Sequence, residues 1–313
     1  MRIAVVGAGG IGGYFGGRLA AAGNDVHLLA RGAHLAAMVR DGLVVRSVAG
    51  DFRVRVRATD DVSEIGPVDH VLFCVKSYDT EEAAAGLGPL IADRTAVVSL
   101  QNGVDNEEKL ARVVGAEHVM GGVAYIFSTI AEPGVIVHSG GPGRILFGEL
   151  DGSKSERAEA LAATCRDASV EAEATTDIVR LLWDKLAFIC AQAGMTAATR
   201  LSIGEIRDVP DSMVVFRRIV EEVRAVASAT GVELSADVLQ RHERFAHALE
   251  ADSTSSLHHD LTHGRRMELE ALHGEVVRRG RAHDVPTPAC ETVYGLLRPW
   301  AIRADRAARG ERR

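Results

Sequence analysis

The chain has no apolar run approaching the roughly 18 residues that a membrane-spanning helix requires, so no span is expected. Its first apolar stretch is cut by Gly7 directly after Val6, unlike the core of a signal peptide. The four cysteines, Cys74, Cys165, Cys190 and Cys290, lie far apart and form no C-x-x-C pair. They read as reduced thiols, and a cytoplasmic location is expected. A basic excess is also missing. The net charge is −7, which leaves no global footprint for nucleic acid. The arginine-rich end (Arg303, Arg306, Arg309, Arg312, Arg313) reads as a frayed, solvated tail covering about the last 8 residues. There is no internal repeat.

What is present is an ordinary globular composition, 47% hydrophobic and 25% charged, over 313 residues. That length suits two domains with buried cores. The most informative segment is the first. Arg2-Ile3-Ala4-Val5-Val6 reads as a strand running into Gly7-Ala8-Gly9-Gly10-Ile11-Gly12, a G-x-G-x-x-G turn. Gly7 permits the tight turn, Gly9 lets the backbone approach a pyrophosphate, and Gly12 lets the next helix pack on the sheet. That helix begins near Gly10, and its unpaired N–H groups and dipole would face phosphates. Together they predict dinucleotide binding.

One further absence bears on which dinucleotide is bound. A fold of this kind that binds NAD carries Asp or Glu at the end of the second strand, to accept from ribose hydroxyls. Here that strand, Asp25-Val26-His27-Leu28-Leu29, is followed by Ala30-Arg31-Gly32. A guanidinium cannot accept a hydrogen bond, but it pairs bidentately with phosphate. Arg31 therefore points to NADP, the alternative being a solvated surface arginine.

Strand and helix signals continue to alternate. Strands are expected at Val71–Val75, Ala96–Leu100, Val119–Met120, Val135–Val137, Ile145–Gly148 and Val170–Ala172. Helices are expected from about Thr80 to Leu90 and from Glu156 to about Ala168, with turns at Glu132–Gly134 and Gly140–Gly143. This predicts an α/β, doubly wound sheet of the Rossmann type over residues 1–175. From Thr176 the β signals fade. Helical spacing dominates over Ile178–Ala198, Val214–Thr230, Ala236–Ala251, Arg265–Arg281 and Pro288–Ala304, so residues 176–313 should form an all-helical domain.

Ligands of open α/β sheets bind beyond the carboxyl ends of the strands, which is where Lys76 and Asn102 fall. Lys76 reads as a contact to phosphate or ribose, or as an exposed lysine. Asn102 reads as a ribose or substrate contact, or simply as half of an Asn-Gly turn. Farther on, Trp183–Cys190 is a strongly apolar helical segment holding one lysine, Lys185. Lysine is seldom buried without a partner. It either snorkels to the surface or faces a cleft, where desolvation would make it a tunable proton donor.

Taken together, the glycine turn with Arg31, Val75-Lys76, Gln101-Asn102-Gly103, Trp183-x-Lys185-Leu186 and the stretch from Ser255 through Asp260 to Arg266–Glu270 resemble the ketopantoate reductase (2-dehydropantoate 2-reductase) family along nearly the whole chain. The resemblance implies an NADPH-dependent reductase of a small-molecule 2-keto acid, monomeric or homodimeric. It implies Lys185 as catalytic acid and Glu268 as its supporting carboxylate. Ser256 would bind the substrate carboxylate, and Lys76 and Asn102 would line the cofactor and substrate cleft.

The chain departs from that family at two positions. Family members place asparagines four and eight residues after the lysine, where this chain has Ile189 and Ala193. Two polar substrate contacts have become apolar, which favours a more apolar 2-keto acid than 2-dehydropantoate. A non-catalytic NADP-binding redox sensor is the remaining alternative, and Lys185 with Glu268 count against it. His259 and His263 have the i, i+4 spacing of a helical zinc pair but lack the neighbouring Glu and a third ligand, so no metal is expected.

Overall fold

The computed structural model describes residues 1–311. The chain divides into two compact units. One holds Met1–Gln101 and Asp105–Val179, and the other holds Asn102–Val104 and everything described from Arg180 onward.

The first unit runs β1 (Arg2–Val6), α1 (Gly10–Ala21), β2 (Asp25–Leu29), α2 (Gly32–Asp41), β3 (Leu43–Ser47), β4 (Phe52–Val54), β5 (Arg57–Thr59), β6 (His70–Phe73) and α3 (Thr80–Ala85). It continues with β7 (Ala96–Ser99), α4 (Asn106–Val114), β8 (Val119–Glu132), β9 (Val135–Glu149), α5 (Glu156–Asp167) and β10 (Glu171–Ala174). All ten strands form one sheet in the order β4-β3-β9-β8-β7-β6-β1-β2-β5, with β10 alongside β9. Successive residues of a strand point to opposite faces. In β1, Ile3 and Val5 enter a core with Phe15, Leu19 and Phe147, while Ala4 and Val6 enter a second with Phe73, Leu87 and Leu110. Both faces are covered, which is why the central strands read as continuous apolar runs.

The sheet is mixed. β1 pairs in parallel with β2 and β6, whereas β3 with β4 and β8 with β9 are antiparallel. The three short strands expected over 119–148 are in fact two long ones, of 14 and 15 residues, paired as a hairpin. The Glu132-Pro133-Gly134 turn closes it. Gly140–Gly143 is not a turn but an irregular stretch within β9, where the register slips opposite Tyr125 and Phe127. Gly141 and Gly143 take positive φ there, a conformation that signals a turn in sequence and a bulge in a sheet. The helix expected from Thr80 to Leu90 is interrupted: α3 stops at Ala85 and a separate 3₁₀ turn spans Gly88–Leu90.

The second unit is helical: α6 (Ile178–Thr199, its first two residues grouping with the sheet), α7 (Ile203–Arg207), α8 (Pro210–Ala229), α9 (Val238–Ala248), α10 (Ser256–Thr262), α11 (Glu275–Ala282) and α12 (Pro288–Ala308). α8 buries Met213, Phe216, Ile219, Val220, Val223, Val226 and Ala227, the stripe its apolar spacing predicts. The helix expected over Arg265–Arg281 is shorter. Residues 265–268 have no regular secondary structure, Glu270–Gly274 is a π-helical turn, and only then does α11 begin. The Gly274 N–H reaches back to the Leu269 carbonyl, which gives the wider turn. The expected tail also changes, because α12 carries Arg303 and Arg306 in regular helix. Arg303 lies over the Trp300 ring at 5.7 Å. Arg312 and Arg313 lie outside the described residues.

Behind the end of β7, the first unit buries a polar network. Gln101 Nε2 donates to the Val75 carbonyl at 2.9 Å and to Thr80 Oγ1 at 2.8 Å. Nearby Glu107, in the first turn of α4, is 4% exposed. Burial pushes its carboxyl up to about 7, against the Ser99 hydroxyl, which favours the anion. The folded state thus holds a proton that the unfolded chain releases near the ordinary value of 4.5. Stability from this group is fully present below that value and is lost as pH rises through about 7, a difference on the order of 3 kcal/mol. Chemical denaturation from pH 4 to 8 should therefore show a fall for wild type that Glu107→Gln flattens. Parallel pH curves would show that Glu107 is ionised in the fold.

Candidate active site

Two groups of the expected residues emerge, one in each unit. In the first, the glycine turn follows β1, and β1 lies between β6 and β2. Gly7 has φ 95°, and a Cβ there would meet the Val75 backbone nitrogen at 2.8 Å. A Cβ on Gly10 would sit 2.2 Å from the Ser128 carbonyl of β8, whereas one on Gly9 would meet nothing within 4 Å. The turn is therefore tight below and open at Gly9. Ala8 and Gly12 are buried, and Gly9, Gly10 and Ile11 are half-buried. The N-terminus of α1 has no side-chain cap and no acidic residue in its first turn. An uncapped N-terminus beside an open glycine suits phosphate oxygens.

Two residues not anticipated from sequence hold this turn. Ser128 Oγ donates to the Gly10 carbonyl at 2.9 Å. His34 of α2 accepts from Gly134 N–H through Nδ1 at 3.0 Å, so its Nε2 carries the proton and donates to the Ala8 carbonyl at 2.9 Å. Burial holds the His34 pKa below its ordinary value, which keeps the ring in that neutral tautomer. Ser128 lies 118 residues from Gly10 and His34 lies 26 residues from Ala8, so local pattern carries no signal for either.

Arg31 precedes α2 directly at the end of β2. Its side chain is 80% exposed and pairs with Glu82 at 3.7 Å. A solvated pair of that length contributes little and leaves the guanidinium available to a phosphate. Lys76 lies past β6, half-buried, at the start of a 3₁₀ turn whose Asp79 N–H it accepts through its carbonyl at 2.8 Å.

The second group is in the helical unit. Asn102 belongs here with Gly103 and Val104. The Val104 carbonyl accepts from Arg279 Nη2 at 3.4 Å, and Arg279 is braced by Glu275 at 2.6 Å and lies 5.8 Å from the Trp183 ring. Lys185 lies on α6, only partly exposed. Desolvation lowers its pKa to about 8, against the pull of the Glu268 carboxylate, which favours the ammonium. Glu268 is itself 7% exposed, in the irregular segment before the π turn. The adjacent acid, Asp184, is committed elsewhere. Burial pushes it up, but His242 and Arg241 hold it down to about 2, with Arg241 Nη2 at 2.7 Å.

Farther along α6, Ile189 is half-buried and Ala193 fully buried. Thr196 Oγ1 donates to the Gln192 carbonyl at 2.8 Å, so the 2.8 Å contact to Ser255 uses the serine's proton. Ser255 Oγ in turn accepts from His258 N–H, capping α10, and leaves Ser256 exposed in the first helical position. The rings of His259 and His263 stack at 4.0 Å, and no described group of three His, Cys, Asp or Glu side chains is placed to hold a metal. His273, unremarked in the sequence, is fully buried in the π turn. A Cβ at Gly194 of α6 would lie 2.4 Å from its Nε2.

Residues 3–152 match the family model described as Ketopantoate reductase PanE/ApbA, and residues 177–301 match its C-terminal counterpart. A 2-dehydropantoate 2-reductase from Halobacterium salinarum is 37% identical over 95% of this chain and 98% of that protein. A PanE/ApbA family ketopantoate reductase structure from Ralstonia eutropha superposes with TM-score 0.90 at 36% identity, covering 97% of this chain and 100% of that one. A D-mandelate dehydrogenase with NADH, 22% identical, shares the fold with TM-score 0.90 over 97% and 99% of the two chains. The protein is thus an oxidoreductase acting on CH–OH/C=O groups with a nicotinamide cofactor. It belongs to the ketopantoate reductase family.

The coupling of Lys185 to Glu268 has its own readout. Removing the carboxylate charge removes the attraction that raises the lysine pKa, so Glu268→Gln should lower the Lys185 titration below about 8. NMR of isotopically labelled lysine measures this directly. An unchanged titration would mean that the two groups do not interact.

Proposed function

We propose that the protein reduces a 2-keto acid to the 2-hydroxy acid with NADPH, with 2-dehydropantoate, giving pantoate toward pantothenate, as the default substrate. The observation that carries this reading is a partly desolvated lysine titrating near 8 beside a buried carboxylate. Such a group is an ammonium at neutral pH and close enough to that pH to give up its proton readily. The uncapped N-terminus of α1, the open backbone at Gly9 and the exposed Arg31 fit the phosphates of NADP, with Lys76 and Asn102 lining the cofactor and substrate cleft. When bound, the reduced nicotinamide supplies hydride to the keto carbon. Lys185 donates a proton from Nζ to the keto oxygen as negative charge develops there. Glu268 keeps that nitrogen charged and oriented, and Ser256 binds the substrate carboxylate.

A second reading, a more apolar 2-keto acid, is favoured by Ile189 and Ala193, which present no amide where the family has two. Relative turnover of 2-dehydropantoate and an apolar analogue decides between them.

If Lys185 is the proton donor, Lys185→Ala should lower kcat by roughly 10²–10⁴ while the Kd for NADPH barely moves. Near-normal turnover would remove the lysine from the mechanism.

Cofactor choice rests on Arg31. A charge-assisted contact to the 2′-phosphate contributes about 1.5–3 kcal/mol, so kcat/KM with NADPH should exceed that with NADH at least about tenfold. Arg31→Asp should abolish or reverse the preference. Equal use of both cofactors by the wild type would place Arg31 in solvent and withdraw NADP.

A further inference from the structure

Lys185 lies on α6, an unbroken helix from Ile178 to Thr199. With 3.6 residues per turn, Ile189 is rotated by roughly 40° from Lys185 and Ala193 by roughly 80°. Gln192 comes back to within roughly 20° of the Lys185 direction, closer than either. It is the one residue between Phe188 and Met195 whose side chain carries an amide. Gln192 is 7% exposed. Its backbone carbonyl accepts from Thr196, and among the described residues its side-chain amide makes no hydrogen bond and is not one of the unpartnered polar groups sealed from solvent. An amide that no protein group occupies and that solvent can still reach, on the lysine's side of the helix, is available to a ligand.

Helical side chains lean toward the N-terminus and cover the turn before their own Cα. A glutamine at 192 therefore lies over the turn containing Ile189, and its longer stem delivers an amide to the place a shorter asparagine at 189 would have served. We propose that Gln192 is a specificity-determining residue whose amide hydrogen-bonds a hydroxyl on the tail of the 2-keto acid. An amide both donates and accepts, as a hydroxyl does, and it is neutral, so it does not compete with Ser256 and Lys185 for the carboxylate and the keto oxygen. The inference rests on the 2-keto acid reading and narrows it toward a hydroxyl-bearing tail. Ile189 then forms the apolar wall beneath the carbon skeleton.

The test uses two acids that differ only in that hydroxyl: 2-dehydropantoate and 3,3-dimethyl-2-oxobutanoate. The wild type should favour the hydroxylated acid by roughly tenfold in kcat/KM, mostly through KM. Gln192→Met keeps length and volume and removes the hydrogen bonds, so the ratio should fall toward one while the Kd for NADPH, followed by its fluorescence, is unchanged. Gln192→Ser is the second variant should the methionine disturb folding, and it should collapse the ratio in the same way. A wild-type preference for the deoxy acid, or a ratio unaltered in both variants, overturns the role of Gln192 and leaves the reductase reading standing. Failure of wild type to reduce either acid overturns both.

Discussion

Keeping an ammonium group in an apolar helix is the constraint on which the helical unit turns. α6 is apolar through most of its length, and desolvation there weakens the hold of Lys185 on its proton. A carboxylate must stand close enough to offset that cost, yet must not lock the lysine into a tight ion pair. Glu268 supplies that charge, and the lysine pKa still stays lowered, at about 8. Its place is set by packing. The Gly194–His273 contact leaves no room for a Cβ on α6, which pins the π turn against the helix. The irregular segment bearing Glu268 leads directly into that turn. On the neighbouring position, Arg241 and His242 hold Asp184, so the nearest acid in sequence does not compete for the lysine.

The sheet unit solves the opposite problem. The first N–H groups of α1 are left uncapped, with no acid among them. That leaves positive potential at the carboxyl end of the sheet's centre, as an anion site needs. What stabilises the turn instead comes from remote chain, Ser128 of β8 and His34 of α2, both bonding carbonyls and leaving the N–H groups alone. The carbonyls satisfied are those that would otherwise repel an anion.

Sequence pattern made legible what depends on local periodicity. The glycine turn, the apolar central strands and the long helices α6, α8 and α12 all follow from spacing of two or 3.6 residues. Illegible were features whose cause is tertiary. Gly140–Gly143 reads as a turn because glycine and proline punctuate loops, but in the sheet the same residues bend a long strand beside its partner. The π turn at Glu270–Gly274 has ordinary helical composition, and only its packing against Gly194 reveals the wider winding. Lys185 was ambiguous for the same reason. A lone lysine in an apolar helix looks alike whether it snorkels or faces a carboxylate some eighty residues away, and burial separates the two.

Position along one helix face separates reactivity from selectivity. On the proposed mechanism Lys185 is the proton donor, and its pKa is set by burial and by Glu268. On that reading the amides at i+4 and i+8 serve the substrate and not the proton transfer. A side chain one turn farther on reaches back over the same patch, because helical side chains lean toward the N-terminus. Asparagine at 189 and glutamine at 192 are thus alternative ways of delivering an amide to one spot, and they differ in what surrounds it. On the proposed reading Ile189 supplies an apolar wall beside that amide, and a site built to hydrogen-bond a hydroxyl rejects the analogue that lacks it.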